Sequence, residues 1–130
     1  CLFVCCVALS LLEKESFNEL LFRDVLDFVN EVVIVVEKDT GNVLLWNLAA
    51  EDMYGYTKDE ILGKSINTII PDGYTAAPRR EDVFESDISE SFKSVRQGKN
   101  GDLQVVEIEL HPLRNKIGKL AAVLGIHCFA

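Results

Sequence analysis

The chain has 130 residues, the size of one domain, and 48% of them are apolar, so an ordinary buried core is within reach. Its formal net charge of −8 argues against nucleic acid, whose phosphate backbone needs a basic stripe. The local basic pair Arg79–Arg80 is followed at once by Glu81 and Asp82.

The stretch CLFVCCVALSLL, residues 1–12, carries no charge. It is shorter than the roughly 20 apolar residues a bilayer span takes, and it lacks the basic start and cleavage site of a signal peptide. The chain starts without Met, as an excised piece of a longer protein would. Residues 1–12 therefore read as an apolar docking helix, or as the tail of a transmembrane helix. Cys1, Cys5 and Cys6 fall in this stretch and Cys128 near the far end, with no CxxC spacing. Reduced, buried thiols of an intracellular protein are expected, and no metal site.

Residues 10–29 carry a helical pattern, with Phe17, Leu20, Leu21, Val25 and Phe28 at three- and four-residue steps. Ser10-x-x-Glu13 and Ser16-x-x-Glu19 both spell capping boxes, so either one helix runs through or it breaks near Ser16. Residues 1–29 form a flanking segment, and residues 30–130 the domain proper. Leu9, Leu12, Phe17, Leu21, Val25 and Phe28 are candidates for a homodimer interface, since exposed apolar faces usually mark one.

The run VVIVV, residues 32–36, predicts a strand covered on both faces, and VLLW, residues 43–46, its hairpin partner across EKDTGN. Asn47 suits the N-cap of a helix ended by Gly55. Thr57 and Glu60 make a capping box for a second short helix stopped by Gly63, and Ser65 to Ile70 allow one more turn. Residues 71–90 are polar and irregular, with a short helix expected near Arg79 to Glu85. Three strands follow: SFKSVRQ, then LQVVEIELHPL after an Asn100-Gly101 hairpin turn, then LAAVLGIHCF. Hairpin-linked strands with helices gathered on one face make an α+β domain with an antiparallel sheet.

No catalytic constellation is written here: P-loop, GxGxxG, HExxH and GxSxG are all missing. The alternation of the fourth strand places His111 with Glu107 and Glu109, opposite Val106, Ile108 and Leu110, and predicts a surface histidine. His127 and Cys128 are strand neighbours and point to opposite faces. The chain is therefore expected not to be an enzyme. Trp46, Met53, Tyr54 and Tyr56 cluster at a strand-to-helix junction, which suits core packing or a small-molecule pocket.

The stretch from Val32 to Pro71 resembles a PAS domain of the S-box type. Trp46-Asn47, Ala49-Ala50-Glu51, Gly55-Tyr56-Thr57, Glu60, Gly63-Lys64 and Ile70-Pro71 match that pattern in order, as do KNGDLQVVEIELHPL and GKLAAVLGI further on. The resemblance covers residues 30–129. It implies a five-stranded antiparallel sheet with short helices on one face and an N-terminal flanking helix. It also implies a sensory or dimerisation module of a cytoplasmic signalling protein, such as a histidine kinase of a two-component system, a cyclase or a transcription regulator. A ligand-free adaptor acting only between proteins is the alternative. Pocket candidates on this reading are Trp46, Asn47, Met53, Tyr54, Tyr56, Ile69, Tyr74, Phe84, Val106 and Ile108. The family's flavin-adduct Cys has no counterpart in IIPDGYTAAPRR, and residues 71–95 hold no His for haem, so neither cofactor is expected and an unidentified small molecule remains. The family's closing Asp-x-Thr is replaced by Cys128-Phe129-Ala130, which puts coupling through that motif in doubt. Expected partners are a second copy of the chain and an effector domain. A membrane is expected only if residues 1–12 end a transmembrane helix.

Overall fold

In the computed structural model, which describes residues 24–75 and 90–130, the β-branched run Val32–Glu37 forms strand β1. Strands β2 (Val43–Trp46), β3 (Glu90–Gln97), β4 (Leu103–Arg114) and β5 (Leu120–Phe129) complete one antiparallel sheet in the order β2-β1-β5-β4-β3. Hairpins join β1 to β2 and run from β3 to β5, as the turn signals require. The β1–β5 pairing closes the sheet between segments far apart in sequence. It puts the most continuously apolar strand, LAAVLGIHCF, in the centre, where both faces are covered.

Helices α1 (Leu48–Tyr54) and α2 (Lys58–Ile61) and a 3-10 turn (Ile66–Ile69) fill the connection after β2. Each begins as its sequence dictates: the Asn47 side chain accepts from Ala50 N, Thr57 and Glu60 form the reciprocal box, and Ser65 accepts from Asn67 N. Gly55 ends α1 with φ of 80°, the left-handed conformation that glycine adopts without a side-chain clash. Backbone bonds Val43 N to Lys64 O and Gly63 N to Val43 O cover the free edge of β2, an edge otherwise open to pairing with another chain.

Strand parity sorts the core into two layers. On the inner face, under α1 and α2, lie Val32, Ile34, Val43, Trp46, Ala50, Tyr54, Ile61 and Ile69. The outer face is not left to solvent. Leu26 packs there with Val33, Val35, Leu113, Ala122, Leu124 and Ile126, and Val29 lies against them. This second layer corrects two expectations. His111 does sit on the outer face beside Glu109, whose carboxylate lies 2.9 Å from its Nε2, but it is 5% exposed and no surface residue. Alternation gives the face of a residue, not whether another segment covers it. Cys128, in turn, is exposed near the end of β5 where a buried thiol was expected.

Two further boundaries shift. Helix is present over residues 24–27 and gives way to a turn at Phe28, short of the expected end at residue 29. The β3–β4 connection is a loop over residues 98–102 with Gly98 N bonded to Asp102 O, not a two-residue turn at Asn100-Gly101. A type I′ turn needs positive φ at both central residues, and only Gly101 has it. The expected helix near Arg79 to Glu85 and the helical pattern before residue 24 lie outside the described residues. Among the described residues, no helix is long and apolar enough to cross a membrane, and no three His, Cys, Asp or Glu side chains group as metal ligands.

Candidate functional site

The inner face of the sheet is not filled evenly. Near the β1–β2 end, Trp46 and Tyr54 occupy it fully, their ring centroids 5.7 Å apart, and Trp46 Nε1 donates to Tyr56 O at 2.9 Å. Towards the middle, where Gly125 of β5 presents no side chain, a cavity of about 140 Å³ opens between the sheet and the 3-10 turn. Its walls are apolar residues of β1, β4, β5 and the turn, with Ile34, Ile66, Ile108, Leu110 and Val123 among them. Four ionisable residues join that wall: Arg96 from β3 and His127 from β5, and at the end of β1 Glu37 and Lys38, with Thr40, Ser65 and Asn67 beside them.

Arg96 and His127 are buried. The Arg96 guanidinium donates to Ser94 Oγ, Val95 O and Thr75 O, which ties β3 to the segment after the 3-10 turn. His127 is 6% exposed, and its Nδ1 lies 2.7 Å from the Tyr54 hydroxyl. Burial holds the imidazole down to about 3, with the Arg96 charge pushing the same way, so the ring is neutral at physiological pH. Burial also raises the Tyr54 phenol well above its usual range, against the pull of Arg96, so this hydroxyl keeps its proton. The site is thus a largely apolar cavity with a neutral imidazole and a guanidinium in its wall, and with Glu37, Lys38, Thr40, Ser65 and Asn67 also lining it. Among the described residues that line it, the hydroxyl oxygens of Thr40 and Ser65 accept from the backbone N–H of Asn42 and Asn67, and neither is bonded to a base.

The pocket expected from the sequence is displaced. Of its residues, Ile108 lines the cavity. Trp46, Tyr54, Ile69 and Val106 are core, Met53 and Tyr56 pack against that core, and Tyr74 is 48% exposed. Asn47 is a structural crosslink, and Phe84 lies outside the described residues. The aromatics fail to line the cavity because they fill the very space they were expected to surround. Arg96 and His127 were missed, although the sequence held a signal for each. Arg96 follows Phe92 and Ser94 at strand spacing, and His127 follows Val123 and Gly125. Period-two alternation alone puts both on the inner face.

Comparison with known proteins agrees with this architecture. The profile of the PAS domain family matches residues 30–127. This chain belongs to the PAS domain family. Among solved structures, the PAS domain resembles the PAS domain of a Colwellia psychrerythraea protein, with a TM-score of 0.73 at 22% identity over 82% of this chain and 92% of that one. It also resembles the LOV protein of Rhodobacter sphaeroides, with a TM-score of 0.72 at 19% identity over 88% and 68% of the two chains. An RNA-binding light-oxygen-voltage receptor gives a TM-score of 0.73 at 16% identity, covering 85% of this PAS domain but 32% of the receptor. At such identities the likeness concerns the fold. No curated protein matches the chain.

Proposed function

We propose that this PAS domain is the ligand-sensing and dimerisation module of a longer signalling protein, passing occupancy of its inner cavity to the segment before β1. The observation that carries the reading is the cavity itself, apolar but edged by buried Arg96 and His127. An adaptor with no ligand has no use for buried ionisable groups at an open space, since burying them costs stability. The relay has a physical basis. Asn47 Nδ2 donates to Leu26 O and Glu31 O, while Asp27 accepts from Leu48 N and pairs with Lys58 Nζ. The start of α1 and of α2 is thereby bonded to the segment that leads into the sheet, and a shift in these helices biases that segment.

The proposed role is non-catalytic and cytoplasmic, upstream of an effector such as a histidine kinase. The proposed assembly is a homodimer through the N-terminal segment, where Phe28 is 87% exposed and Val25 is half-exposed. Leu9, Leu12, Phe17 and Leu21, the other proposed contacts, lie outside the described residues. Neither a flavin–thiol adduct nor haem is proposed. A cavity near 140 Å³ matches a single six-membered ring rather than three fused ones, and Cys128, the cysteine among the described residues, is on the outer face. The adaptor reading draws support from the tight packing of Trp46 and Tyr54. Native mass spectrometry of freshly purified protein separates the two readings. A dimer carrying a small organic molecule is expected. Ligand-free protein whose cavity residues also respond to no added small molecule would leave the adaptor.

A further inference from the structure

Tyr54 and His127 share one hydrogen bond, and its direction can be deduced. Tyr54 is 1% exposed, and its hydroxyl has Nδ1 of His127 as its partner among the described residues, at 2.7 Å. If the ring donated to the phenol, the phenol proton would be buried with no acceptor, at a cost of about 1–3 kcal/mol. The hydroxyl therefore donates, Nδ1 accepts, and the neutral imidazole carries its one proton on Nε2.

That proton has nowhere to go within the described residues. Nε2 has no hydrogen-bond partner there, and it lies over Gly125: a Cβ at residue 125 would stand 3.2 Å from Nε2 and 3.4 Å from Leu110 Cδ2. His127, Gly125 and Leu110 all line the cavity, so the missing side chain at 125 opens the space that Nε2–H faces. An N–H that faces a largely apolar cavity with no protein acceptor among the described residues is completed by an acceptor inside that cavity. The Arg96 guanidinium of the same wall is already held by three oxygen acceptors, and the wall's remaining charges, Lys38 and Glu37, are opposite in sign.

We propose that the cavity receives a small, uncharged, largely apolar molecule carrying a carbonyl-type oxygen, which accepts from Nε2–H of His127 in the tautomer that Tyr54 sets. The inference rests on the reading of the domain as a ligand sensor. It narrows the ligand to about one six-membered ring in size, since an apolar cavity near 150 Å³ takes up benzene. Tyr54 is the positioning residue and His127 the contact.

The test is nuclear magnetic resonance on the 15N-labelled 130-residue chain, titrated with cyclohexanone, methylcyclohexane and cyclohexanecarboxylate. Long-range 1H–15N spectra of His127 are expected to show Nε2 protonated and Nδ1 bare before any probe is added. Cyclohexanone should move the Nε2–H proton downfield, and methylcyclohexane should shift cavity methyl groups without that movement. Tyr54→Phe should release the tautomer and weaken the ketone by roughly three- to tenfold, the worth of one hydrogen bond, with little change for the hydrocarbon. Gly125→Ala, which places a Cβ 3.2 Å from Nε2 in the space the ketone oxygen would take, should lose the ketone response. An Nδ1-protonated ring overturns the proposal. So does a ketone that perturbs the methyl groups but not Nε2–H, or a carboxylate that saturates first, and each of these leaves the sensor reading standing. If no probe perturbs any cavity residue, the sensor reading fails with it.

Discussion

Asn47 makes four hydrogen bonds with one side chain: its Oδ1 accepts from Val33 N and Ala50 N, and its Nδ2 donates to Leu26 O and Glu31 O. Asn47→Ala is therefore expected to cost about 2–3 kcal/mol, because Val33 N and Glu31 O lose their partners at once while Leu26 O and Ala50 N keep only their backbone bonds. A urea melt showing a loss near 1 kcal/mol, the usual size for an N-cap alone, would mean water replaces the other bonds. His127 supplies a pH signature. Its folded pKa, held down to about 3 by burial and then by Arg96, lies below the ordinary 6.5. Between those values the unfolded chain binds a proton that the folded chain refuses, so stability is full above 6.5 and falls as pH drops. The expected loss from this group is about 2 kcal/mol between pH 7 and pH 5. His127→Gln keeps an acceptor for Tyr54 and does not titrate, and stability over that range should be flatter by that amount. Equal slopes for the two proteins would place the charge change elsewhere. The capping role of Asn47 was legible from its place before an apolar helix. The three tertiary bonds were not, because their partners lie on other segments that only the folded chain brings near.

Helix α2 spans Lys58–Ile61, too short to persist in water without its ends tied. Thr57 Oγ1 accepts from Glu60 N and Glu60 Oε1 accepts from Thr57 N, while Lys99, from the β3–β4 loop, pairs with Oε2 of the same carboxylate. That ion pair, followed by the Thr57 backbone bond, holds the Glu60 carboxyl down to about 2. Thr57→Ala should lower stability by roughly 1 kcal/mol, and exchange of the Leu62 and Glu60 amides should quicken more than that of the sheet. Unchanged melts would mean the Glu60–Lys99 pair alone seats α2. At this scale the sequence was most readable, since caps, glycine stops and alternation are local and the limits of each described strand and of the helices after β2 fell within a residue or two. Pairing of β1 with β5 was less so: both are apolar runs, and nothing local says which of the other strands will flank them. The β3–β4 loop misled for the opposite reason, because Asn100-Gly101 is a strong local turn signal that the Gly98–Asp102 backbone bond overrides.

At the scale of the whole molecule, the two faces of the sheet divide the work. The inner face carries the cavity, and the outer face is closed by Leu26 and Val29 from the segment before β1. Turned the other way, Phe28 and Val25 of that segment are exposed, and the uncharged residues 1–12 extend the apolar pattern further along the sequence. A stretch that already spends one side on the sheet has its other side left for a partner, and the two-fold pairing of identical segments is the commonest way homo-oligomers bury such surface. Deletion of residues 1–15 spares Leu26, Asp27 and Val29, hence the outer layer and the bonds to α1 and α2. It is expected to give a folded domain that sediments mainly as a monomer, where the full chain sediments as a dimer. Phe28→Glu in the full chain should weaken the dimer with an unchanged urea midpoint for the sheet, since that side chain is 87% exposed and supports no core contact. A truncated protein that stays a tight dimer would move the interface to the sheet, where half-open Val105 and Leu103 of β4 form the next apolar surface. Dimerisation would then be independent of the segment that the relay uses, and cavity occupancy would have to reach an effector by another path.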